Sequence, residues 1–434
     1  MPRPTVVGVD FGTTNTVVAT GGGAERARLV AFDTPSGPAP TFRSTLSFNA
    51  DPAELTGREV NAGPWAIEAY LDDPDGTRFI QSFKSYAASP LFSETRVLGR
   101  RYSFEDLLST FLLRLRDSGG APLAAEGGRV IVGRPVRFVG AAPDPALALG
   151  RYQTAFARLG FEDILYVHEP VAAAFFFARR LDEDATVLVA DFGGGTSDFS
   201  IIRFTRRAGT LTSHPLGQSG VGVAGDAFDV RIIDHLVSPV LGKGSSYRDF
   251  DNILAVPSRY YASFARWDQL ALMQGSRDMR EIRGLVRKAL EPEKLERLIA
   301  LIEGNHGYPL YQAVSRLKEA LSRDTAARFS FDAGDIAIAQ TVERAEFEGW
   351  IAPELAAIQG AVDAALSDAD LGPDQIDRVF LTGGSSFVPA VRGIFSTRFG
   401  EAKIAAGSEL ESIASGLALI GCEPDLERWC TRAG

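Results

Sequence analysis

Apolar positions along this chain follow two rhythms. Short unbroken apolar runs predict buried strands over Thr5–Val9, Thr16–Thr20, Arg28–Phe32, Arg129–Gly133, Ile164–Val167, Val187–Asp191, Asp198–Phe204, Phe329–Phe331, Ile336–Ala339 and Asp377–Leu381. Between them a helical rhythm takes over. It is clearest from Ser103 to Leu115, where Phe104, Leu107, Leu108, Phe111, Leu112 and Leu115 share one face and Ser103 and Asp106 form a capping pair. Further helices are predicted over Ala146–Leu159, Ala227–Val237, Val314–Leu321 and Glu343–Leu366, the last broken near Pro353. Ser408-Glu409-Leu410-Glu411 reads as a capping box opening a final helix through Leu419. Gly416 inside that helix predicts a close crossing, because an interior glycine otherwise costs about 1 kcal/mol. Asp33–Gly57 reads as loop and short strands, and Pro239–Tyr311 as a charged, mostly helical insertion with little strand signal.

Three of the apolar runs end in a glycine-rich turn: Val6-Val7-Gly8-Val9-Asp10-Phe11-Gly12-Thr13-Thr14-Asn15, Val187-Leu188-Val189-Ala190-Asp191-Phe192-Gly193-Gly194-Gly195-Thr196, and Val379-Phe380-Leu381-Thr382-Gly383-Gly384-Ser385-Ser386. Each alone reads equally well as an ordinary hairpin turn, since Gly, Thr and Asn are common there. The repeat changes the balance. The first two place an Asp at the end of a buried strand, and a buried carboxylate is costly without a cation or donors. Two equivalent ones point to a shared ligand. Glycine lets backbone N–H groups approach phosphate, and paired Asp carboxylates suit a hydrated Mg²⁺. The reading is a nucleotide held between two lobes, with the strand–turn–strand restart at Asp191 marking an internal duplication.

Composition narrows the classes. The chain has 434 residues, room for two or more domains, and a net charge of −10, which argues against nucleic acid as the main partner. No apolar run approaches the roughly 20 residues of a bilayer span, and the N-terminus enters a strand without a signal-peptide pattern, so a cytoplasmic protein with no membrane partner is expected. Cys422 and Cys430 are the only cysteines, which excludes a disulfide framework and favours free thiols. His168, His214, His235 and His306 are scattered, with no zinc-ligand spacing. There is no G-x-x-x-x-G-K-[ST] loop. Gly220-Val221-Gly222-Val223-Ala224-Gly225 matches G-x-G-x-x-G, a weak pattern without a clearly placed strand or ribose-binding acid.

Between these motifs lies His168-Glu169-Pro170-Val171-Ala172-Ala173-Ala174-Phe175-Phe176-Phe177. Pro170 suits a helix start, the alanines suit close packing, and the phenylalanines read as core. Glu169 reads equally as a cleft-facing functional acid or as a helix N-terminal charge stabilised by the macrodipole.

Taken together, the chain resembles the ATPase domain of the seventy-kilodalton heat-shock chaperones, the DnaK family. Val9–Asn15 looks like the first phosphate loop, Asp191–Asp198 like the second, Glu169–Ala174 like the first connecting helix and Gly383–Pro389 like the adenosine loop. Gly225-Asp226-Ala227-Phe228-Asp229 resembles a family turn, and Leu317-Lys318-Glu319-Ala320-Leu321-Ser322 the adenine-side helix. Ser82-Phe83-Lys84 resembles the segment carrying the family's catalytic lysine.

The resemblance implies an α/β protein of the actin-like ATPase fold. It would have two lobes, each with a duplicated ribonuclease-H-like mixed sheet, and nucleotide in the interlobe cleft. Lobe I would comprise residues 1–188 and 409–434, with an insertion at about 35–120; lobe II would comprise 189–408, with the helical insertion at about 239–311. By the same resemblance Asp10 and Asp191 hold hydrated Mg²⁺, and Lys84, Glu169, Asp198 and Thr196 serve catalysis. Gly12, Thr13, Thr14, Asn15, Gly193, Gly194, Gly195, Thr196, Gly225, Asp226, Lys318, Ser322, Gly383, Gly384, Ser385 and Phe387 contact ATP or ADP.

Two departures stand out. Glu319 and Phe387 occupy positions where family members carry base-sandwiching arginines. After Leu419 only Ile420–Gly434 remains, with no interdomain linker or peptide-binding domain, a layout resembling the YegD-type chaperone-like proteins. The expectation is a slow Mg-dependent ATPase switch with nucleotide and protein partners. A small-molecule kinase, an actin-like filament protein and a nucleotide binder without turnover are the alternatives.

Overall fold

The computed structural model describes residues 6–22, 27–50, 58–74, 76–120, 128–138, 142–179, 183–207, 210–265, 270, 273–274, 276–405 and 411–433. Contacts divide the chain into two units: Met1–Gly222 with Ile358–Ser386 and Gly393–Gly434, and Val223–Ala357 with Phe387–Arg392.

The first unit contains two sheets built on one plan. In the first, the central strand Val6–Phe11 pairs antiparallel with Asn15–Gly21, which pairs with Ala27–Leu29. On its other side it pairs parallel with Arg129–Arg134, which pairs parallel with Asp163–His168. In the second sheet, the central strand Ala185–Phe192 pairs antiparallel with Ser197–Arg207, followed by antiparallel Thr210–Val221. Its other side carries parallel Arg378–Thr382 and then Ile404–Ala405. Strand order and direction match over five strands, so the duplication read from the glycine turns extends to both sheets; the first sheet adds a sixth strand, Thr41–Arg43, paired antiparallel with Asn15–Gly21. The central strands are buried on both faces, which is why they are continuous apolar runs without alternation.

Two helices cover these sheets. Glu169–Ala178 packs on Ala185–Phe192 and against the C-terminal helix Ser412–Ile420, which lies on Val6–Phe11 and Asn15–Gly21. Small residues make that possible. A Cβ on Gly416 would sit 1.9 Å from the Ala172 carbonyl oxygen, and one on Gly8 would sit 2.5 Å from the Ala418 nitrogen. The close crossing expected at Gly416 is therefore present. Residues 408–410 of the expected capping box lie outside the described residues. The helix Phe104–Gly119 forms as expected, with the reciprocal Ser103–Asp106 capping box and its apolar face buried. A smaller sheet, Thr45–Ala50 with Arg58–Ala62 and Thr77–Gln81, fills the stretch between the first sheet and that helix in the chain.

Thr210–Val221 is a strand beyond those expected; it contains Pro215, Gly217 and Gly220, residues that weaken a strand signal. It is an edge strand, where proline is tolerated, and its register shifts at Ile201/Ile202, opposite Pro215 and Gly217. Gly217 has a packing reason: a Cβ there would sit 2.6 Å from the Ala365 carbonyl oxygen.

The second unit holds the hairpin Ala326–Ala333/Ile336–Glu343 and the helices Gly225–Ile232, Arg277–Val286, Pro292–Glu303 and Gly307–Arg323. The insertion is helical as expected except for a hairpin, Ser246–Asp249 with Asn252–Ala255. Sequence reading missed it because its strands are short, the second is exposed throughout, and the turn uses Phe250 at φ 52° in place of Gly or Asn.

Candidate functional site

The two equivalent hairpins of the first unit end in turns with the same hydrogen bond: the Gly12 N–H donates to the Asn15 carbonyl at 3.0 Å, and the Gly193 N–H to the Thr196 carbonyl at 2.9 Å. A Cβ on Gly12 would lie 2.3 Å from the Asn15 oxygen, so that turn requires glycine. Thr13, Thr14 and Asn15 are all partly exposed around the first turn, as are Gly194, Gly195 and Thr196 around the second.

One residue before each turn strand ends stand Asp10 and Asp191. Asp10 is partly open at its surface, yet its dense surroundings, then the charges of Glu169 and Asp191, hold its carboxyl well above the usual range against the pull of Lys84. Burial, then Glu169, pushes Asp191 up to about 6, while a 2.6 Å hydrogen bond from the Thr382 hydroxyl and the charge of Lys84 oppose the rise. Asp198 lies directly across the strand pair from Asp191. Burial, then the negative charges of Asp191 and Glu169, pushes it up to about 7, opposed by the Thr196 hydroxyl and Lys84.

Lys84 enters from the short helix Phe83–Tyr86, preceded by Ser82 at φ 51°. Its Nζ lies 2.8 Å from Glu169 Oε1, with both side chains nearly covered. Burial alone would lower the ammonium; Glu169, then Tyr152 and Asp10, more than offset it, so Lys84 stays charged above its ordinary range. Glu169 opens its helix as expected, and Gly133 gives it room, because a Cβ there would lie 3.1 Å from Glu169 Cγ.

The third glycine turn meets the second. Gly383 has φ 81°, and a Cβ on it would lie 2.0 Å from the Phe192 carbonyl oxygen. Ser386 closes the turn by donating to the Gly383 carbonyl at 2.6 Å, and Ser385 is buried behind the exposed Gly384. Gly220 is explained by the same site, as a Cβ there would be 2.8 Å from Asp198 Oδ1. The G-x-G-x-x-G match thus begins with a glycine that makes room for a carboxylate.

In the second unit, Lys318 is half-buried and ion-paired with Asp229 at 2.7 Å, and it donates to the Gly225 carbonyl at 3.2 Å. Burial alone would lower its ammonium, but Asp229 raises it. Ser322 donates back to the Lys318 carbonyl. Asp226 is partly exposed in the first turn of Gly225–Ile232, Glu319 is exposed, and Phe387 is 52% exposed. The structure thus gathers Asp10, Lys84, Glu169, Asp191, Asp198 and Thr196 into one electrostatic group in the first unit. The expected adenosine-side residues Gly225, Asp226, Lys318, Ser322 and Phe387 belong to the second.

Sequence reading missed three residues here. The Ser44 hydroxyl donates to the Gly12 carbonyl at 2.7 Å and its N–H to the Thr14 carbonyl at 2.9 Å, clamping the first turn. Nothing in a Pro- and Ser-rich stretch singles it out. Thr382 stood inside a quoted motif without a role. Tyr152, fully buried with a hydroxyl that has no hydrogen-bond partner among the described residues, read only as a helix position.

Four carboxylates here face one ammonium, and the three aspartates all hold protons more tightly than usual. That chemistry fits a hard divalent cation. Among the described residues no three His, Cys, Asp or Glu side chains converge closely enough to enclose a metal by themselves. Nor, among the described residues, is any helix long and apolar enough to cross a membrane.

Against known families, the Hsp70 protein profile matches residues 93–248 and 306–422, well over half of the chain. The matched segments include Glu169, the hairpin carrying the second glycine turn, and the third glycine turn. The chain belongs to the Hsp70 family, and it is a chaperone-like ATP-binding protein of the actin-like ATPase fold.

Proposed function

We propose that the protein is a slow Mg²⁺-dependent ATPase acting as a nucleotide-driven switch, of the YegD-like kind and located in the cytoplasm. The observation that carries this reading is the duplicated turn with its matched aspartates. Asp10 and Asp191 hold a hydrated Mg²⁺, which when bound neutralises phosphate oxygens. The turn residues Gly12, Thr13, Thr14 and Asn15, and their counterparts Gly193, Gly194, Gly195 and Thr196, offer N–H and hydroxyl donors to the phosphates. Gly383, Gly384 and Ser385 form the adenosine loop. We assign base-side contacts to Gly225, Asp226, Lys318, Ser322 and Phe387, where an exposed ring offers a stacking face.

Phosphoryl transfer needs positioning and charge neutralisation more than covalent chemistry. Lys84, charged and fixed by Glu169, orients the attacking water or a phosphate oxygen. Asp198, with a carboxyl poised near neutrality, orients water and accepts its proton. The division into lobes at 188/189 and 408/409 belongs to the same reading, as do protein clients, which the family binds generally.

The test is single-turnover hydrolysis of ATP with Mg²⁺ and with EDTA, in wild type and Lys84→Met. Slow hydrolysis that EDTA abolishes, and that Lys84→Met lowers by roughly 10²-fold or more, supports the reading. Phosphoryl transfer to a small acceptor in place of water would instead assign a kinase.

A further inference from the structure

Glu169 acts electrostatically on a second cation besides Lys84, Arg134. The parallel strands Arg129–Arg134 and Asp163–His168 pair with Arg134 opposite His168, so Glu169, the next residue, leaves the sheet end beside Gly133 and Arg134. The absent side chain of Gly133 brings that backbone close to the carboxylate: its ideal Cβ position is 3.6 Å from Glu169 Oε1. The Arg134 guanidinium lies over the Phe138 ring, 5.8 Å from its centroid. Its Nε–H is buried and has no hydrogen-bond partner among the described residues. Arg134 and Glu169 sense each other's charge, and Tyr152 senses both.

A buried guanidinium N–H left unpartnered, on a half-buried arginine that feels the charge of a covered carboxylate, is an expensive arrangement unless a second state uses it. If Lys84 turns toward an anion, Glu169 loses its only ion-pair partner among the described residues at a covered position, which is strongly disfavoured. We propose that Arg134 is a positioning residue that takes over Glu169 when Lys84 moves to a phosphate oxygen, so that the lysine is released without stranding the carboxylate. The proposal rests on the reading of Lys84 as a phosphate-facing residue. The Tyr152 hydroxyl, also buried and unpartnered, is the competing recipient.

Two measurements test this. The first needs no nucleotide: urea midpoints of Lys84→Met, Arg134→Met and the double variant. With Lys84 removed, Glu169 falls back on Arg134, so the double variant loses more than the two singles together, or fails to fold where both singles fold. Additive losses overturn the proposal, as does a super-additive loss with Tyr152→Phe in place of Arg134→Met. The second is single-turnover ATP hydrolysis by Arg134→Met. The expected result is a hydrolysis step about tenfold slower with ADP affinity unchanged, partly restored by Arg134→Lys. An unchanged step, or a fall in ADP affinity that accounts for the loss, overturns it. If wild type binds no ATP yet the double variant is super-additive, the ATPase reading fails while the hand-over stands. Additivity with normal hydrolysis gives the reverse.

Discussion

The hairpins Val6–Phe11/Asn15–Gly21 and Ala185–Phe192/Ser197–Arg207 share a turn, a hydrogen bond and an aspartate at the same pairing position. They differ in what faces that aspartate. Asp10 is paired with Val17, whereas Asp191 is paired with Asp198. They also differ in what supports the turn: Ser44 from the small-sheet region clamps the first, and Thr382 and Gly383 from the third glycine turn brace the second. A repeated scaffold thus carries one plain copy and one charged copy. The plain copy sits under a helix that demands glycine at position 8, and the charged copy tolerates Val189 at the same place. Symmetry supplies the two glycine turns, and departure from it supplies the second carboxylate.

The largest effect should come from removing the shared feature. Asp10→Asn and Asp191→Asn should each lower Mg²⁺-dependent turnover by roughly 10²-fold or more with circular dichroism unchanged; equal turnover in either variant would break the equivalence of the hairpins. Next is the covering helix. Gly8→Val copies Val189 into the first hairpin and drives a side chain into the Ala418 backbone. It should cost about 3 kcal/mol or more, read as a lower urea midpoint or insoluble expression.

Asp198→Val makes the second hairpin like the first. The folded Asp198 carboxyl, near 7, lies above its unfolded value, so the native state holds a proton the unfolded chain releases. Its contribution is fully present at low pH and is lost as pH rises through about 7. Metal-free wild type should therefore melt lower at pH 8 than at pH 6.5. Asp198→Val should flatten that fall and raise the pH 8 melting temperature by roughly 5 °C or more. The half-buried His168, held at about 4 mainly by burial and then by Arg134, has the opposite sign. Its contribution is lost as pH falls from about 6.5 to 4, where it opposes the Asp198 trend, so the Asp198 effect is read by itself only above pH 6.5. The smallest effect is Ser44→Ala, which unpins the first turn alone and should cost about 1 kcal/mol, with weaker ATP binding and no change in the pH profile.

The central strands and their turns were legible in the sequence because a two-face-buried strand ending in Asp and glycine leaves both an apolar run and a backbone signature. Gly416 was legible for the same reason: glycine within a strongly apolar helix has no local benefit. The edge strand Thr210–Val221 was not, because its identity comes from pairing with Ser197–Arg207, and its glycines serve neighbours, Ala365 and Asp198, far away in the chain. Ser44, Thr382 and Tyr152 were hidden likewise. Each is an ordinary residue made important by what tertiary folding sets beside it. Lys84 and Lys318 show the limit of resemblance: both were singled out, but only coordinates reveal that each already has a carboxylate partner, Glu169 and Asp229.

The most direct test of the account is calorimetric binding of ATP and GTP with Mg²⁺ to wild type and Asp191→Asn, with hydrolysis followed in the same samples. The account predicts ATP binding by wild type, Mg²⁺-dependent, with slow release of phosphate, both weakened in the variant. Absence of ATP binding, or binding indifferent to Mg²⁺ and to Asp191, would contradict it.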